Sequence, residues 1–381
     1  MPLRLSMIGP MPPFRGGVSR FAVRAWEVLD EAGHTVQPIG FRRHYPSLWA
    51  PRRAQHDPSP RPTPGPVLDT IDSIGPWTWR ATARTIADFG PDLLLFHHSS
   101  AFFAPAYRSI LRHVRRADPA IRSLALVHRA IPNRRSSMDK WLNRGFLVRN
   151  DGYIVLNEEV ERDLWQLGLR APIRQIPHPI FDRFGDAQPR AEARDRLGIA
   201  SDTPLLLFFG SVRPHKGLNV LLESVAVARR RLPELRLIIA GEFDESEAGY
   251  RSQIADLGIA RAVDIRNEYV PDADVATLFG ASDAVVQPGV KAPQRGIAPV
   301  AFHFGRPLIL TDLGDFARVV QECDGGLVVP PGDPDALAEA IVTFFIEDLA
   351  DDLAAGVRAR RHEFSWDGLV EAIEELDEAV R

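Results

Sequence analysis

The chain has 381 residues, enough for two domains of ordinary size. Apolar residues make up 45% and charged residues 25%, which excludes disorder, collagen-like repeats and a disulfide-stapled small scaffold. The single cysteine, Cys323, excludes an intrachain disulfide and favours a reducing compartment. The net charge of −4 hides an asymmetry: residues 1–181 carry 25 basic against 15 acidic residues, and residues 182–381 carry 21 against 35. A basic half (+10) and an acidic half (−14) suggest different partners.

Residues 1–9 predict a first strand rather than a signal peptide, because no small-residue cleavage site follows the short apolar run. No stretch approaches the ~18 consecutive apolar residues that a spanning helix needs. We therefore expect a cytoplasmic protein, soluble or peripheral on the inner face of the membrane.

In the first half, short apolar runs alternate with helical patterns. Helices are predicted at residues 18–32 and 67–89, and residues 42–66, rich in proline and arginine, predict a long surface loop. The strands are predicted at residues 3–9, 34–41, 93–98, 123–128, 152–156 and 173–177. This alternation is typical of a parallel, doubly wound sheet.

The periodicity weakens at residues 182–203 and then restarts. Helices are predicted at residues 217–231, 333–345 and 366–380. The strands are predicted at residues 205–210, 235–241, 263–267, 284–287, 307–311 and 326–329. The fold class is therefore α/β, with two halves of similar plan joined near residue 185 and ligands bound beyond the carboxyl ends of the strands.

The loop after the first strand, residues 10–18, contains Gly16-Gly17 and leads into a helix. A glycine pair there lets backbone N–H groups approach an anion at a helix N-terminus. The loop lacks the GxGxxG pattern, and no acidic residue closes the second strand, which disfavours a nicotinamide enzyme. A plain strand-to-helix turn is the alternative.

Two further basic loops follow strands of the second half. Arg213 and Lys216 come directly after the strand that ends at Gly210, where two cations suit a diphosphate. Lys291 and Arg295 precede a predicted helix at residues 297–304 and form a second candidate anion site. Ordinary solvated loops are the alternative for both.

The order of several motifs resembles the retaining GT-B glycosyltransferases of family four (group 1). These motifs are Gly16-Gly17, His128, Arg213 with Lys216, Gly241-Glu242, Tyr269-Val270-Pro271 and residues 305–309. The resemblance spans essentially the whole chain and implies two facing Rossmann-like domains. Residues 1–181 would bind the acceptor, residues 182–365 would bind a nucleotide sugar, and a helix at 366–381 would pack back on the first domain. It implies no cofactor and no metal.

The resemblance also implies roles for individual residues. His128 matches a histidine near the reacting sugar, and Lys216 matches the diphosphate-binding lysine; with Arg213 they form the candidate catalytic set. The candidate donor-binding residues are Gly16, Gly17, Gly210, Glu242, Tyr269, Val270, Lys291, Gln294, Arg295, Gly296 and Ile297.

Two departures from the family pattern bear on the donor. Ser211 stands where the family usually carries an arginine, and the family's paired glutamates fall on Ala292 and Val300. Residues 294–297 resemble a branch with a Gln-Ser-Gly-Val type segment. The implied mechanism needs no carboxylate nucleophile, unlike the two-carboxylate glycosidases. Cations and helix-terminal amides would stabilise the departing diphosphate while the acceptor hydroxyl attacks on the same face of the sugar.

The basic surplus of the first half predicts a surface for an anionic acceptor or an anionic membrane. Six of the seven tryptophans lie in this half, where exposed ones would suit a membrane surface. Four arginines share one predicted helical face: Arg108, Arg112, Arg115 and Arg116. A solvated arginine face with core tryptophans is the alternative, and the absence of a groove-reading or stacking motif disfavours nucleic acid.

We therefore predict a metal-independent retaining hexosyltransferase that moves a sugar from a nucleotide-diphosphate sugar to a hydroxyl of a glycan, lipid-linked or natural-product acceptor. Two alternatives belong to other classes. One is a GT-B chain that lost catalysis and acts as a binding partner. The other is a sugar-nucleotide epimerase, for which Glu242 and Asp244 are the nearby carboxylates.

Overall fold

The structure is a computed structural model that describes residues 2–46, 55–57, 62–131, 137–180, 182–291 and 297–381. The chain divides into two compact units. The first unit comprises Met1–Pro179 with Trp366–Arg381, and the second comprises Ile180–Ser365. The division falls two residues before the boundary predicted from the sequence.

The first unit is built on a parallel sheet with the order β3-β2-β1-β4-β5-β6-β7 among the described residues. Its strands are β1 (Arg4–Ile8), β2 (Thr35–Arg43), β3 (Leu68–Asp72), β4 (Leu93–His98), β5 (Arg122–Val127), β6 (Gly152–Val155) and β7 (Ile173–Gln175). Its helices are α1 (Gly17–Glu31), α2 (Pro76–Phe89), α3 (Ala104–Ala117), α4 (Ser137–Leu147), α5 (Glu158–Gln166) and, at the end of the chain, α14 (Asp367–Ala379).

Both faces of this sheet are covered, which explains the continuous apolar strands. Leu93, Leu95 and their neighbours on β5 pack against α1 and α14, while Leu94 and Phe96 pack against α3 and α4. Trp366 precedes α14 and its ring lies 4.8 Å from that of Phe21 on α1. The last helix therefore belongs to the first unit.

One sequence-based prediction in this unit is wrong. Residues 67–89 were expected to form one helix, but Leu68–Asp72 is a strand paired with β2, and α2 starts only at Pro76. The buried carboxylate of Asp72 accepts a hydrogen bond from the Ile74 N–H (3.1 Å), and Gly75 follows. This turn separates two elements that a single apolar pattern had joined, and proline at the first helical position suits the new start.

The second unit repeats the plan with a parallel sheet of order β10-β9-β8-β11-β12-β13 among the described residues. The strands are β8 (Leu205–Phe209), β9 (Arg236–Ala240), β10 (Val263–Arg266), β11 (Ala284–Gln287), β12 (Leu308–Thr311) and β13 (Gly326–Val329). The helices are α6 (Arg190–Leu197), α7 (Leu218–Ala228), α8 (Glu247–Asp256), α9 (Asp272–Ala281), α10 (Ala298–His303), α11 (Asp315–Glu322), α12 (Pro334–Ile346) and α13 (Ala350–Arg360). The predicted strands of this half are confirmed to within a residue or two at their ends.

Candidate functional site

Two of the predicted donor-binding residues, Gly210 and Glu242, lie where β8 and β9 end. Gly210 and Gly241 both have positive φ, +96° and +146°. A Cβ at Gly241 would lie 2.3 Å from the Gly210 carbonyl oxygen, so the two backbones meet at a distance that excludes a side chain. Beyond them the Val212 N–H donates to the Glu242 carbonyl (2.8 Å), which holds Glu242 beside the loop that carries Arg213.

Lys216 ends a short 3₁₀ turn, Pro214–Lys216, and its amine turns back toward the end of β8. The Nζ atom donates to the Ser211 hydroxyl (3.4 Å) and lies 3.6 Å from the position of a Cβ at Gly210. Burial, with repulsion from Arg213, lowers the pKa of Lys216 to about 8. The amine is therefore a partly desolvated cation that an incoming anion would stabilise.

Arg213 is placed differently from Lys216. Its Nε donates to the Asp244 carboxylate at 2.5 Å, and about half of each side chain is exposed. The ion pair neutralises part of the charge that the sequence suggested for a diphosphate. Ser211, the departure from the family pattern, contacts the Lys216 amine.

The loop after β11 docks on the Lys216 turn. A Cβ at Gly217, where φ is +73°, would lie 1.9 Å from the Pro288 carbonyl oxygen. The Val290 N–H donates to the His215 carbonyl at 3.0 Å. Lys291 follows and is exposed. The structure therefore brings the two basic loops of the sequence analysis together through backbone contacts.

The second candidate anion site lies partly outside the described residues, since Gln294, Arg295 and Gly296 fall there, as does Ala292. Ile297 is described, and its Cδ1 lies 3.0 Å from the position of a Cβ at Gly210. Val300, where the family carries a glutamate, is buried in the apolar core. An ionised carboxylate at that position would need a partner that this core does not offer.

The segment proposed to contact the base follows β10. Tyr269 is partly buried, and Val270 lines a cavity of about 150 Å³ between α6, α9 and the end of β10. Charged side chains of Arg196, Arg266 and Glu268 also line it. The cavity is smaller than the ~300 Å³ typical of pockets that enclose a small molecule.

In the first unit, Gly16 and Gly17 lie at the start of α1 as predicted. Gly16 has a φ of +124° and accepts the Arg20 N–H at 3.1 Å through its carbonyl. Apart from the adjacent residues and the backbone of α1 itself, no described heavy atom lies within 4 Å of a Cβ position at either glycine. The first turn of α1 has no side-chain cap among the described residues, which leaves its N–H groups available to an anion.

His128 follows β5 and lies in an aromatic group around Phe21. Its ring contacts Phe21 edge-on (5.1 Å, 87°) and lies beside the ring of His97, nearly parallel to it (5.7 Å, 26°). Burial, with repulsion from His97, His178 and His98, keeps the pKa of His128 well below its usual value, so the ring is neutral. His97 was missed in the sequence analysis, although a histidine pair closing a buried strand is itself a signal.

The four arginines of α3 do not form one free surface. Arg112 and Arg116 are exposed. Arg115 instead donates to the Arg149 carbonyl (2.7 Å), the Ser123 hydroxyl (3.0 Å) and the Asp151 carboxylate (2.5 Å). Its guanidinium group is paired with these partners inside the first unit, so a ligand contact would have to compete with them.

The tryptophans of the first unit differ in exposure. Trp26 and Trp366 are buried, Trp79 is partly buried, Trp77, Trp141 and Trp165 are exposed, and Trp49 lies outside the described residues. The alternative of core tryptophans therefore does not hold for these three exposed residues. Within the described residues, no group of three or more His, Cys, Asp or Glu side chains could hold a metal ion, and no helix is long and apolar enough to cross a membrane.

Comparisons with known proteins define the class. A family model for the group 1 glycosyl transferases matches residues 203–346, and a model for glycosyltransferase family 4 matches residues 15–182. Among solved structures, sucrose-phosphate synthase from Thermosynechococcus elongatus has a TM-score of 0.73 at 19% identity and covers 99% of both chains. HepE of Anabaena, solved in complex with UDP, has a TM-score of 0.74 at 18% identity over 98% of this chain and 99% of that one. These neighbours confirm the GT-B fold.

Curated relatives agree with this class. Phosphatidyl-myo-inositol mannosyltransferase of Mycolicibacterium smegmatis is 28% identical over 374 residues, covering 96% of this chain and 90% of that protein. D-inositol 3-phosphate glycosyltransferase of Streptomyces scabiei is 32% identical over 212 residues, which span 53% of this chain and about half, 47%, of that protein. The chain belongs to the family 4 glycosyltransferases, and the prediction of a glycosyltransferase enzyme is confirmed.

Proposed function

We propose that this enzyme transfers a hexose-type sugar from a nucleoside-diphosphate sugar to a hydroxyl group of an inositol-containing or lipid-linked acceptor, with retention at the anomeric carbon. Two relatives are named for transfer to phosphatidyl-myo-inositol and to inositol 3-phosphate. Structural neighbours were solved with UDP and with UDP-glucose. The second unit would bind the donor and the first unit the acceptor.

The Lys216 amine carries the donor part of the proposal. It is a desolvated cation at the carboxyl end of β8, beside the Ser211 hydroxyl and the backbone of Gly210. A diphosphate in this place would gain a charge-assisted hydrogen bond whose strength rises as the leaving group develops charge. We expect the reaction to need no metal or cofactor, because the lysine and backbone N–H groups would supply the neutralisation.

A calorimetric screen of UDP, GDP and ADP tests the donor part directly. We expect one of them to bind, and Lys216→Met to weaken that binding at least 100-fold at pH 7. Lys140→Met removes a lysine from α4 and serves as the matched control, with unchanged affinity. If none of the three binds, or if Lys216→Met binds as tightly as the native protein, the proposed donor site is wrong. Incubation with UDP-glucose or GDP-mannose and free inositol, followed by NMR of the product, reports transfer and anomeric configuration.

The proposal extends to an anionic membrane surface that would present a lipid-linked acceptor. Met138, Trp141 and Val148 form one stripe on and just after α4, with exposed fractions of 67%, 68% and 46%. Spacings of three and seven residues place them on one helical face. Exposed methionine and tryptophan suit the interface of a bilayer.

Arginines border this stripe. We name the stripe and its arginines together the α4 surface (Arg108, Arg112, Met138, Trp141, Val148, Arg149). A guanidinium nitrogen of Arg108 lies 3.5 Å from the Cβ position of Gly145, between Trp141 and Val148 along the helix. Arg149 donates to the Gly145 carbonyl, and burial with repulsion from Arg108 and Arg112 lowers its pKa. Cations that repel one another beside exposed apolar side chains suit an anionic bilayer.

Vesicle co-sedimentation tests this part independently of donor binding. Trp141→Ser combined with Arg108→Gln and Arg112→Gln should reduce binding to vesicles of phosphatidylglycerol and phosphatidylcholine at least tenfold. Trp77→Ser removes an equally exposed tryptophan from α2 and should leave binding unchanged. Equal binding of the triple variant would remove the α4 surface from the proposal.

A further inference from the structure

Strand β4 ends in two adjacent histidines whose side chains enter opposite faces of the sheet, because side chains alternate along a strand. His98 lies on the same face of the sheet as Leu94 and Phe96. Its Nε2 atom lies 3.0 Å from the Asn143 Oδ1 atom. The Asn143 amide nitrogen donates to the Ala130 carbonyl, so the oxygen accepts from His98. His98 therefore has a structural role between β4 and α4.

His97 lies on the opposite face, with Leu93 and Leu95, and its ring contacts that of His128. The two residues lie on the same face of adjacent strands, since β4 and β5 pair in parallel register. The Nδ1 atom of His97 lies 3.5 Å from the Nε2 atom of His128. Gly9 makes room for this ring, because a Cβ there would lie 2.7 Å from the His97 Cβ.

Packing alone does not explain an imidazole at position 97. The residue is fully buried, and its Nε2 atom has no hydrogen-bond partner among the described residues. Burying an unpaired polar atom costs about 1–3 kcal/mol. A leucine would pack beside Leu93 and Leu95 on this face of the sheet without that cost. The ring of His97 therefore makes an interaction that an apolar side chain could not make. Its contact with His128 is that interaction.

We propose that His97 is a positioning residue for His128. Its Nδ1 atom holds the His128 ring in one orientation and ties the tautomer of His128 to that of His97, because only one of the two facing nitrogens can carry the proton. Both rings are neutral, so the contact is a single N–H···N hydrogen bond. The Nδ1 atom of His128 then keeps one role, donor or acceptor, for the transferred sugar. This last step rests on the proposed function, because it places His128 beside the sugar; the hydrogen bond itself does not.

Phe21 packs against both histidine rings. Its ring contacts His128 at 5.1 Å and His97 at 6.0 Å, both edge-on. The backbone of His97 is also held, since the Tyr107 hydroxyl donates to its carbonyl at 3.3 Å. His97 is therefore a rigid neighbour, which is what a positioning residue requires.

Nitrogen NMR of protein labelled with ¹⁵N-histidine tests the inference without any substrate. The two ring nitrogens of a neutral histidine differ in chemical shift according to the tautomer. We expect His128, assigned by loss of its signals in His128→Gln, to show one tautomer at pH 7.5. In His97→Leu the second tautomer should rise to at least about a third of the population. His98→Leu is the matched control and should leave the His128 signals unchanged.

Two conservative variants keep the test decisive if His97→Leu does not fold. His97→Asn places an amide near the Nδ1 position and should preserve the single tautomer, whereas His97→Gln places it near the Nε2 position and should not. Unchanged His128 signals in His97→Gln or in folded His97→Leu would overturn the inference.

Kinetics then separate this inference from the proposed function. With UDP-glucose or GDP-mannose as donor, His97→Leu should lower kcat at least tenfold while KM changes less than threefold, and His97→Asn should recover most of the loss. Equal loss in His97→Leu and His97→Asn would indicate a structural effect and contradict positioning. If the native protein turns over neither donor while the NMR coupling is present, the proposed function fails and the His97–His128 contact stands.

Discussion

The two units share one α/β plan, but different parts of the chain form their candidate sites: mainly backbone in the second unit and mainly side-chain rings in the first. In the second unit the site is made by backbones that approach closely at Gly210, Gly217 and Gly241, with one desolvated lysine placed among them. In the first unit it is made by packed rings, with His97 and His128 held against Phe21. Closely packed backbone is destabilised when a side chain is added to it. Neutral histidines in a packed site are destabilised when a lower pH favours their protonation.

Gly217→Ala tests the dependence of the second unit on close backbone approach, and we expect the largest effect here. The new Cβ would overlap the Pro288 carbonyl oxygen and would also strain a backbone with φ of +73°. Overlap and strain together should cost about 4 kcal/mol of the free energy of unfolding, measured by chemical denaturation.

Gly258→Ala is the matched control for that substitution. Its φ is similar, +69°, but apart from the adjacent residues no described heavy atom lies within 4 Å of the new Cβ. We expect a loss of about 1 kcal/mol, from backbone strain alone. Similar losses in the two variants would show that the contact with the 288–290 loop does not matter.

Acid should unfold the first unit before the second. Burial lowers the pKa of His97 to about 3 and that of His98 to about 4. The unfolded chain takes up these protons below about pH 6.5, so the stability present above that pH is lost as the pH falls toward 4. At pH 5 each histidine should cost about 2 kcal/mol.

Hydrogen exchange measured between pH 7.5 and pH 5 checks this difference residue by residue. Amides of β1, β4 and β5 should lose protection at a higher pH than those of β8 and β11. Loss of protection in both units at the same pH would mean that the buried histidines do not control acid stability.

Nucleotide affinity should depend on pH through Lys216. In the free protein its pKa is about 8, and a bound diphosphate would raise that pKa by stabilising the ammonium form. Affinity should therefore fall as the pH rises above 8, by up to about tenfold per unit. Calorimetry in buffers of different ionisation enthalpy should show proton uptake on binding near pH 8.5. In Lys216→Met, uptake and pH dependence should both disappear.

The smallest expected effects separate the arginines of α3. Arg115→Gln breaks a network with Asp151, Ser123 and the Arg149 carbonyl, and should cost about 1–2 kcal/mol of stability. Arg112→Gln should change stability by less than about 0.5 kcal/mol because that side chain is exposed. Vesicle binding should show the reverse order, with Arg112→Gln the weaker binder. The same ranking in both measurements would contradict the division of roles.

The parts of the candidate site that could be predicted from the sequence are those whose residues lie close together in the chain. Gly16, Gly210 and Lys216 were found because strand, loop and helix follow one another in sequence. The ion pair of Arg213 with Asp244 was not found, since it joins loops that follow different strands. The role of His97 was missed for the same reason, because its partner lies 31 residues away on β5.

The sequence by itself determined the class of the chain and most of its strands, because buried parallel strands are continuous apolar runs that need no knowledge of their neighbours. It also placed the glycine and lysine loops at strand ends. Only the tertiary structure decided which charges remain available. Arg115 and Arg213 are paired by residues distant in sequence, while Trp141 is exposed and His97 is buried. Burial and pairing depend on what the fold brings alongside a residue, and no local pattern records that.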